Sequence, residues 1–433
     1  MEMSFGVDDA ENWTYRGEGA LNLVLAYTGT STQLIGKVLR IQKKAGQKQR
    51  SSDNPLTDEE RILWKEDSEL ARCQAVEMVD QLYASLVMSP LLGPGQVDPG
   101  VRVRVSREFL NAIGKKTASH RPPSRVEAAQ IDATRAFAIL MSDHSLFPPG
   151  GSCLCVEIKP KCGFLPSSKY LADQFAFKRT VTRYKMHQHL KLHQHEISVL
   201  SHYDPLDLFS GERERIGKAM IDLYATPQNN FRVFLNGSLI FGGLGGGTTK
   251  TDSEISEAFE QELNNIISPR NGSAIDNFIQ LVADTVHRSG VLNRLLQVQM
   301  LDKLDIEGAI HAYYNILSLP CSVCDQISKA GSAYKYASLH TIGLDESIKI
   351  VKDYLIAATA KDCSIMISFK PASDDDIAPA CDNSIHISSL GQTFYYKVNF
   401  IDLDLKSLWK MEDYYKLDQK ILKHYSQMMK VGK

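Results

Sequence analysis

Val101, Val103 and Val105 alternate with Arg102, Arg104 and Ser106. Side chains of a strand point alternately to its two faces, so this period of two predicts a half-buried strand. The same criterion predicts strands over residues 15–27 and 34–42, joined by the polar turn Thr28-Gly29-Thr30-Ser31, and over 136–141, 153–156 and 394–405. Apolar residues recur at helical spacing over 59–88, and the run ends before Ser89-Pro90 because proline disfavours helix in the residue that precedes it. Helices are also predicted over 275–300 and 345–358, and a basic amphipathic helix closes the chain. Polar, turn-rich segments at 43–58, 244–256 and 371–384 read as loops, and Pro148-Pro149-Gly150-Gly151 reads as a hinge between two parts. Strands dominate the early chain and helices the later chain, an α+β pattern without internal repeats.

A chain of 433 residues has room for two or three domains, or one large two-lobed unit. Its hydrophobic content of 43% is that of an ordinary globular protein. No window approaches the roughly 18 consecutive apolar residues of a membrane span. The opening MEMSFGVDDAENW is acidic and lacks the apolar core of a signal peptide. The eight cysteines are irregularly spaced and suggest no disulfide framework, so an intracellular setting, cytoplasm or nucleus, is expected.

The net charge is only −2, yet cations gather locally. Glu157, Lys159 and Lys161 follow the apolar run 153–156 at alternate positions, which on a continuing strand would share one face. An exposed strand face would explain them equally well in isolation. Arg183, His187 and Lys191, however, recur every fourth residue, and Lys406 and Lys410 repeat that spacing. Local positive charge on a near-neutral chain points to a small, highly anionic ligand, with neither nucleic acid nor membrane as a partner. Arg16-Gly17-Glu18-Gly19-Ala20-Leu21-Asn22 can bring backbone amides close to phosphates, although a plain hairpin turn fits it better on its own. Arg40 follows on the next strand, the layout of a kinase N-lobe without the third glycine of protein kinases. Asp362 follows a long helix and Asp402 ends a strand, in the order in which a kinase places its base and its magnesium ligand. Cys321 and Cys324, flanked by His311 and His340, can clamp one zinc, or can be two buried thiols beside unrelated histidines.

Together these residues resemble the inositol-pentakisphosphate 2-kinase family, and most closely its plant members. The resemblance spans nearly the whole chain and is carried by RGEGALNLVLAY, VEIKPKCGFLP, YDPLDLFSG, TPQNNFRVFLNGSLI, LDKLDIEGAIHAYY, LIAATAKDCSIMISF and FIDLDLK. It implies ATP-dependent phosphorylation of the 2-hydroxyl of inositol pentakisphosphate. It also implies a two-lobed kinase-like fold, with an N-lobe (1–145) of antiparallel sheet plus helix. The larger C-lobe (146–433) would carry an inositide-binding helical region. By resemblance, Asp362 is the catalytic base and Asp402 the magnesium ligand. Gly19, Ala20, Asn22 and Arg40 line the nucleotide phosphates, Arg232 also approaches ATP, Asp143 and His144 meet the adenine, and Glu157 the ribose or nearby polar groups. Arg125, Lys159, Lys161, Arg183, His187, Lys191, Asn229, Asn230, Lys406, Lys410 and Tyr414 hold inositol phosphates, and His311, Cys321, Cys324 and His340 hold a structural zinc. A monomer is expected.

The chain departs from the family pattern at three places. Ser142 replaces Asn at the hinge, Lys410 replaces Arg and so loses bidentate phosphate geometry, and Ala45 stands where an N-lobe Arg can reach substrate. Lys43, Lys44 or Arg50 are the candidate replacements for that Arg. Two rival readings are a non-catalytic inositol-polyphosphate-binding protein and a phosphoinositide lipid kinase. Intact Asp362 and Asp402 argue against the first. The second would want a basic or apolar membrane-docking surface, and none stands out.

Overall fold

The computed structural model describes residues 3–19, 21–44, 55–147, 151–242, 253–267, 272–324, 333–372 and 383–431. Two six-stranded sheets organise them. The first contains β1 (Ser4–Phe5), β2 (Trp13–Glu18), β3 (Asn22–Tyr27), β4 (Lys37–Gln42), β5 (Val101–Val105) and β6 (Phe137–Ser142) in the order β1-β5-β6-β4-β3-β2. The second contains β7 (Leu154–Ile158), β8 (Phe231–Leu235), β9 (Ser238–Phe241), β10 (Ser364–Pro371), β11 (Ser384–Ile387) and β12 (Gln392–Ile401) in the order β11-β12-β10-β7-β8-β9. All pairings are antiparallel except β1 with β5.

Period-two alternation divides each sheet between a core and a cleft. In the first sheet Leu23, Leu25, Leu39 and Ile41 pack into a core with Trp13, Phe109, Leu110 and Ile113. Their neighbours Asn22, Val24, Val38 and Arg40 point the other way and line a cavity. The last three core residues come from the helix Arg107–Thr117, which Ser106 starts by accepting the Phe109 N–H at 3.0 Å. In the second sheet Ile365, Ile367 and Phe369 enter a large helical core. On its opposite face Cys155, Phe234 and Met366 pack together, and Phe234 and Met366 line the same cavity.

Several predicted elements are subdivided. Residues 15–27 form two strands, because the chain reverses between Glu18 and Asn22. The run 59–88 is broken into Asp58–Leu63, Ser68–Ala71 and Val76–Tyr83, with a π-helical turn at Ala84–Met88. The helical path then continues through Ser89–Leu92, with Pro90 just after the π-helical turn. Residues 275–300 form Ala274–Ser289 and Val291–Gln299, separated by Gly290 in the left-handed region at φ 63°. The strand predicted over 394–405 ends at Ile401. Helices Arg183–His193, Leu344–Asp362 and Met411–Val431 agree with their predicted character. Of the predicted loops, residues 45–54, 243–252 and 373–382 lie outside the described residues, as do 148–150 of the predicted hinge. A helix begins within the second of those loops, at Ser253.

The segment Val97–Gly100 joins the two sheets. Val97 bridges Phe400 at the end of β12, and the Phe400 N–H donates to the Gln96 carbonyl at 2.7 Å. Three residues on, Gly100 at φ 70° lies so close to Ile139 and Met141 of β6 that a Cβ would meet them at 2.5 and 2.7 Å. Asp98, between them, accepts the N–H groups of Gly100 and Ser142, each at 2.8 Å.

A buried ionic cluster fixes the helices behind the cleft. Lys178 Nζ contacts Asp305 at 2.6 Å, Asp418 at 3.0 Å and Glu307 at 3.1 Å. Burial alone would pull this lysine's pKa down, but the three carboxylates outweigh it and push it up. Lys178→Met should leave Asp305 and Glu307 without their lysine and Asp418 with Arg183 alone as its partner. Urea unfolding is expected to show a loss of roughly 3–5 kcal/mol. A change within experimental error would mean that the cluster carries no such weight.

Candidate active site

The cavity between the sheets has a volume of about 460 Å³. At its rim the β2–β3 hairpin is fixed from beneath. Glu18 accepts two hydrogen bonds from Arg121, both at 2.9 Å, and one from Lys43 at 2.6 Å, while Lys43 also donates to the Gly19 carbonyl at 2.6 Å. Lys43 is therefore committed and buried, and does not replace the cation missing at position 45. Lys44 donates its backbone N–H to the Gln130 carbonyl at 2.7 Å. Ala20, Ala45 and Arg50 lie outside the described residues.

Arg40 crosses the cavity to pair with Asp404, just beyond β12. With its carboxamide oxygen turned toward Arg40, Asn22 accepts from that guanidinium at 2.6 and 3.1 Å. Asp80, from the helix Val76–Tyr83, accepts the Leu405 N–H at 3.1 Å. Burial, and then the charge of Asp404, push the Asp80 carboxyl up against the pull of Arg40. Asp143 pairs with Arg16 at 2.6 Å and accepts the Ser145 N–H at 3.0 Å. His144 is held below its ordinary pKa by burial, against the pull of Asp98. Glu157 pairs with Arg232 on the adjacent β8 at 3.1 Å and accepts from Ser364 at 3.0 Å.

Asp362, at the end of the helix Leu344–Asp362, sits inside a ring of ammonium groups. Lys406 lies at 3.3 Å, Lys159 at 3.4 Å and Lys161 at 3.8 Å. The surrounding protein pushes the Asp362 carboxyl up, but the three lysines outweigh it and hold it below the usual carboxylate range. Its side chain is 53% exposed to the cleft, so water moderates both effects. Strand alternation is not what unites Lys159 with Lys161. β7 ends at Ile158, and Lys161 has φ 63°, so a turn aims both side chains at Asp362. Burial, and then Lys159, lower the Lys161 pKa to about 8.

Asp402 follows β12 with φ 61° and is open to water within the cleft. The protein crowded around it raises its pKa despite the nearby Lys159. Among the described residues no side chain forms an ion pair with it, so its oxygens are available to an added cation.

The remaining predicted ligands spread over two faces. His187 and Lys191 share a face of the helix Arg183–His193. Burial, then Lys191 and Arg183, pull His187 down to about 3, so it is a neutral imidazole rather than the cation its spacing suggests. Arg183 is engaged by Asp418 of the closing helix. Asn229 and Arg125 line the cavity. Asn230 turns inward and donates to the Tyr184 hydroxyl at 3.0 Å. Lys410 lies over the Trp409 ring, 5.4 Å from its centroid, and its pKa is lowered by burial and by Lys406. Burial and the charge of Asp362 raise the pKa of the Tyr414 hydroxyl. Sequence reading missed Asp80, Asp404, Glu18 and Arg121. Asp404 carried a signal, standing two residues after Asp402, whereas an acid on an amphipathic helix, such as Asp80, reads as solvent-facing.

His311, Cys321, Cys324 and His340 converge on one point, with ligand atoms all within 4.8 Å of one another. The Nδ1 of His311 is 3.0 Å from the Nε2 of His340 and 3.5 Å from each sulfur, and Cys324 Sγ is 3.1 Å from the His340 Nε2. A tetrahedral ion with ordinary metal–nitrogen and metal–sulfur bonds needs donor separations of roughly 3.3–3.8 Å. The observed separations run at or slightly below that range. Asn315 Oδ1 accepts from the His340 Nδ1 at 3.2 Å, and Tyr336 stacks on His311 with centroids 4.3 Å apart. Burial keeps His311 neutral, with its pKa pulled down to about 3, as a ligating imidazole must be.

An α+β chain with a cleft between two sheets, one carboxylate ringed by lysines and a separate cluster of two histidines and two cysteines suits the class of phosphate-handling enzymes. The comparisons narrow that class. The family profile described as "Inositol-pentakisphosphate 2-kinase" matches residues 15–420. An Arabidopsis thaliana inositol-pentakisphosphate 2-kinase is 52% identical over 99% of this chain and 96% of its own length. A counterpart from Oryza sativa subsp. japonica is 48% identical over 100% and 97%, and one from Danio rerio 29% identical over 96% and 93%. The chain belongs to the inositol-pentakisphosphate 2-kinase family. No helix among the described residues is long and apolar enough to cross a membrane.

Metal analysis of the purified chain is expected to find about one ion bound per chain. Cys324→Ser should lose that ion and unfold at a lower temperature. Wild-type protein that holds no metal, yet unfolds at the same temperature with and without chelator, would remove the site.

Proposed function

We propose that this chain transfers the terminal phosphoryl group of ATP to the 2-hydroxyl of inositol 1,3,4,5,6-pentakisphosphate, giving inositol hexakisphosphate. The relatives' names support the substrate. The single observation that carries the chemistry is Asp362 within reach of Lys159, Lys161 and Lys406. In this reading residues 1–145 form a nucleotide-binding N-lobe, and residues 146–433 form a larger C-lobe with an inositide-binding helical region, a kinase-like plan. The helices between residues 58 and 92 pack into the larger core. Gly19, Ala20, Asn22 and Arg40 meet the nucleotide phosphates, with Arg232 nearby. Asp143 and His144 approach the adenine, and Glu157 the ribose or adjacent polar groups. Arg125, Lys159, Lys161, Arg183, His187, Lys191, Asn229, Lys406, Lys410 and Tyr414 bind inositol phosphates, and Asn230 supports them from behind.

Asp362 accepts the proton of the 2-hydroxyl as that oxygen bonds to the terminal phosphorus and the bond to the bridging oxygen breaks, releasing ADP. Its lowered pKa in the free site makes it a weak base. A bound polyphosphate offers competing anions to the same three lysines, loosens their hold and restores basicity as the hydroxyl arrives. Asp402 is the residue that fits magnesium, which when bound would neutralise charge between the phosphates. The two nitrogen and two sulfur donors of the His/Cys group suit zinc, and a closed set of four protein ligands makes its role structural.

Asp362→Asn is expected to lower kcat by about 10²–10⁴-fold while inositol pentakisphosphate binding, followed by calorimetry, persists. Retention of more than a tenth of wild-type turnover would exclude the base role. Phosphate transfer to phosphoinositide vesicles, with none to free inositol pentakisphosphate, would favour a lipid substrate instead.

The pH dependence of binding has a defined sign. The free Lys161 loses its proton as pH rises through about 8, whereas a bound phosphate favours the charged form. Affinity for inositol pentakisphosphate should therefore fall as pH rises through that value, with proton uptake on binding. Lys161→Arg should abolish the fall, because guanidinium stays charged. The same decline in wild type and variant would assign it to another group.

A further inference from the structure

The segment LDKLDIEGAIHAYY is one of the chain's distinctive stretches, yet its opening residues do not line the cleft. Just before it, Gln299 ends the helix Val291–Gln299 and is wholly buried. Its carboxamide serves two segments far apart in the chain. Oε1 accepts the Gly163 N–H at 2.8 Å, and Nε2 donates to the Lys161 carbonyl at 2.8 Å and to the Ala360 carbonyl at 3.1 Å. Three residues later Asp302, also buried, pairs with Lys361 at 2.6 Å and accepts the Asp305 N–H at 2.9 Å. Lys361 in turn lies over the Phe164 ring, 5.0 Å from its centroid. Gln299 therefore touches both sides of one junction, and Asp302 holds Lys361 on one side while Lys361 leans on Phe164 of the other. One side is the turn carrying Lys159 and Lys161, and the other is the helix end carrying Asp362.

That junction needs outside support. Lys161 occupies the left-handed region, which is costly for a residue with a Cβ and persists only where its surroundings hold it. The Ala360 carbonyl belongs to the last turn of its helix, where carbonyls lack intrahelical partners. One buried amide satisfies both groups and fixes their separation. We infer that Gln299 and Asp302 form a bracket of positioning residues that sets Lys159 and Lys161 against Asp362 without touching substrate. The inference rests on the proposed roles of those three residues.

The test is a double-mutant cycle. Gln299→Met keeps the shape of the side chain and removes all three hydrogen bonds. It is expected to lower kcat/KM for inositol pentakisphosphate on the order of 100-fold, the scale of a small misplacement of reacting groups, with the KM for ATP unchanged. In a Lys161→Ala background the same substitution should cost roughly tenfold less, because part of what it positions is gone. If Gln299→Met does not fold, Asp302→Asn enters the same cycle with the same expected sign. Additive losses, or equal losses toward both substrates with a matching fall in Tm, would overturn the bracket and leave the proposed function standing. A Lys161→Ala enzyme with unchanged KM for inositol pentakisphosphate would instead overturn the assigned role of Lys161, and the bracket with it.

Discussion

The rest of the site depends on how three ammonium groups are held around one carboxylate. Lys159, Lys161 and Lys406 come from two distant stretches of chain, and alone they would repel one another. Asp362 partly neutralises them while the site is free, and the open cleft supplies the screening that makes the arrangement tolerable. The surplus positive charge is thus stored in a form that an incoming polyanion can take over. Elsewhere in the cleft three arginines have their own acids: Arg40 has Asp404, Arg232 has Glu157 and Arg16 has Asp143. The excess is therefore local, which reconciles a strongly basic pocket with a nearly neutral chain.

Much of the fold was legible because the alternation of apolar positions is strong where a sheet has one face in a core. β5 is the clearest case: Val103 and Val105 are buried, and Arg102 and Arg104 lie over Phe137 on the other side. Element ends were less legible, because they depend on local backbone geometry that periodicity does not encode. The hairpin between β2 and β3, the break at Gly290 and the helix running through Ser89-Pro90 are all of this kind. Within the candidate site, Lys159, Lys161, Lys406 and Asp362 come together through a turn rather than through the strand alternation expected of the first two lysines, and His311, Cys321, Cys324 and His340 meet as their spacing suggested. What stayed hidden was the layer behind. A glutamine that serves three backbone groups, or an aspartate that caps a strand's exit from the side, has no periodic or compositional signature.

Charge state was the other blind spot. The four-residue spacing of Arg183, His187 and Lys191 places them on one helical face, and that much the structure bears out. Spacing alone cannot tell that burial, and then the flanking cations, keep His187 neutral, or that Arg183 is already paired with Asp418. Lys43 makes the same point, since a lysine in a polar loop looked free and is instead sealed beneath Glu18.

The short crossing at Val97–Gly100 has a mechanical meaning. One end is stitched to β12 of the second sheet, and the other is pressed against β6 of the first, where Asp98 accepts the N–H groups of Gly100 and Ser142. Gly100 cannot gain a side chain without colliding with the strand it rests on. The chain also passes between the sheets after β4 and after β6, but this crossing is fastened at both ends within four residues. A side chain at residue 100 would push the first sheet away from a segment fastened to the second, so the bareness of Gly100 sets how closely the two sheets can approach at this point.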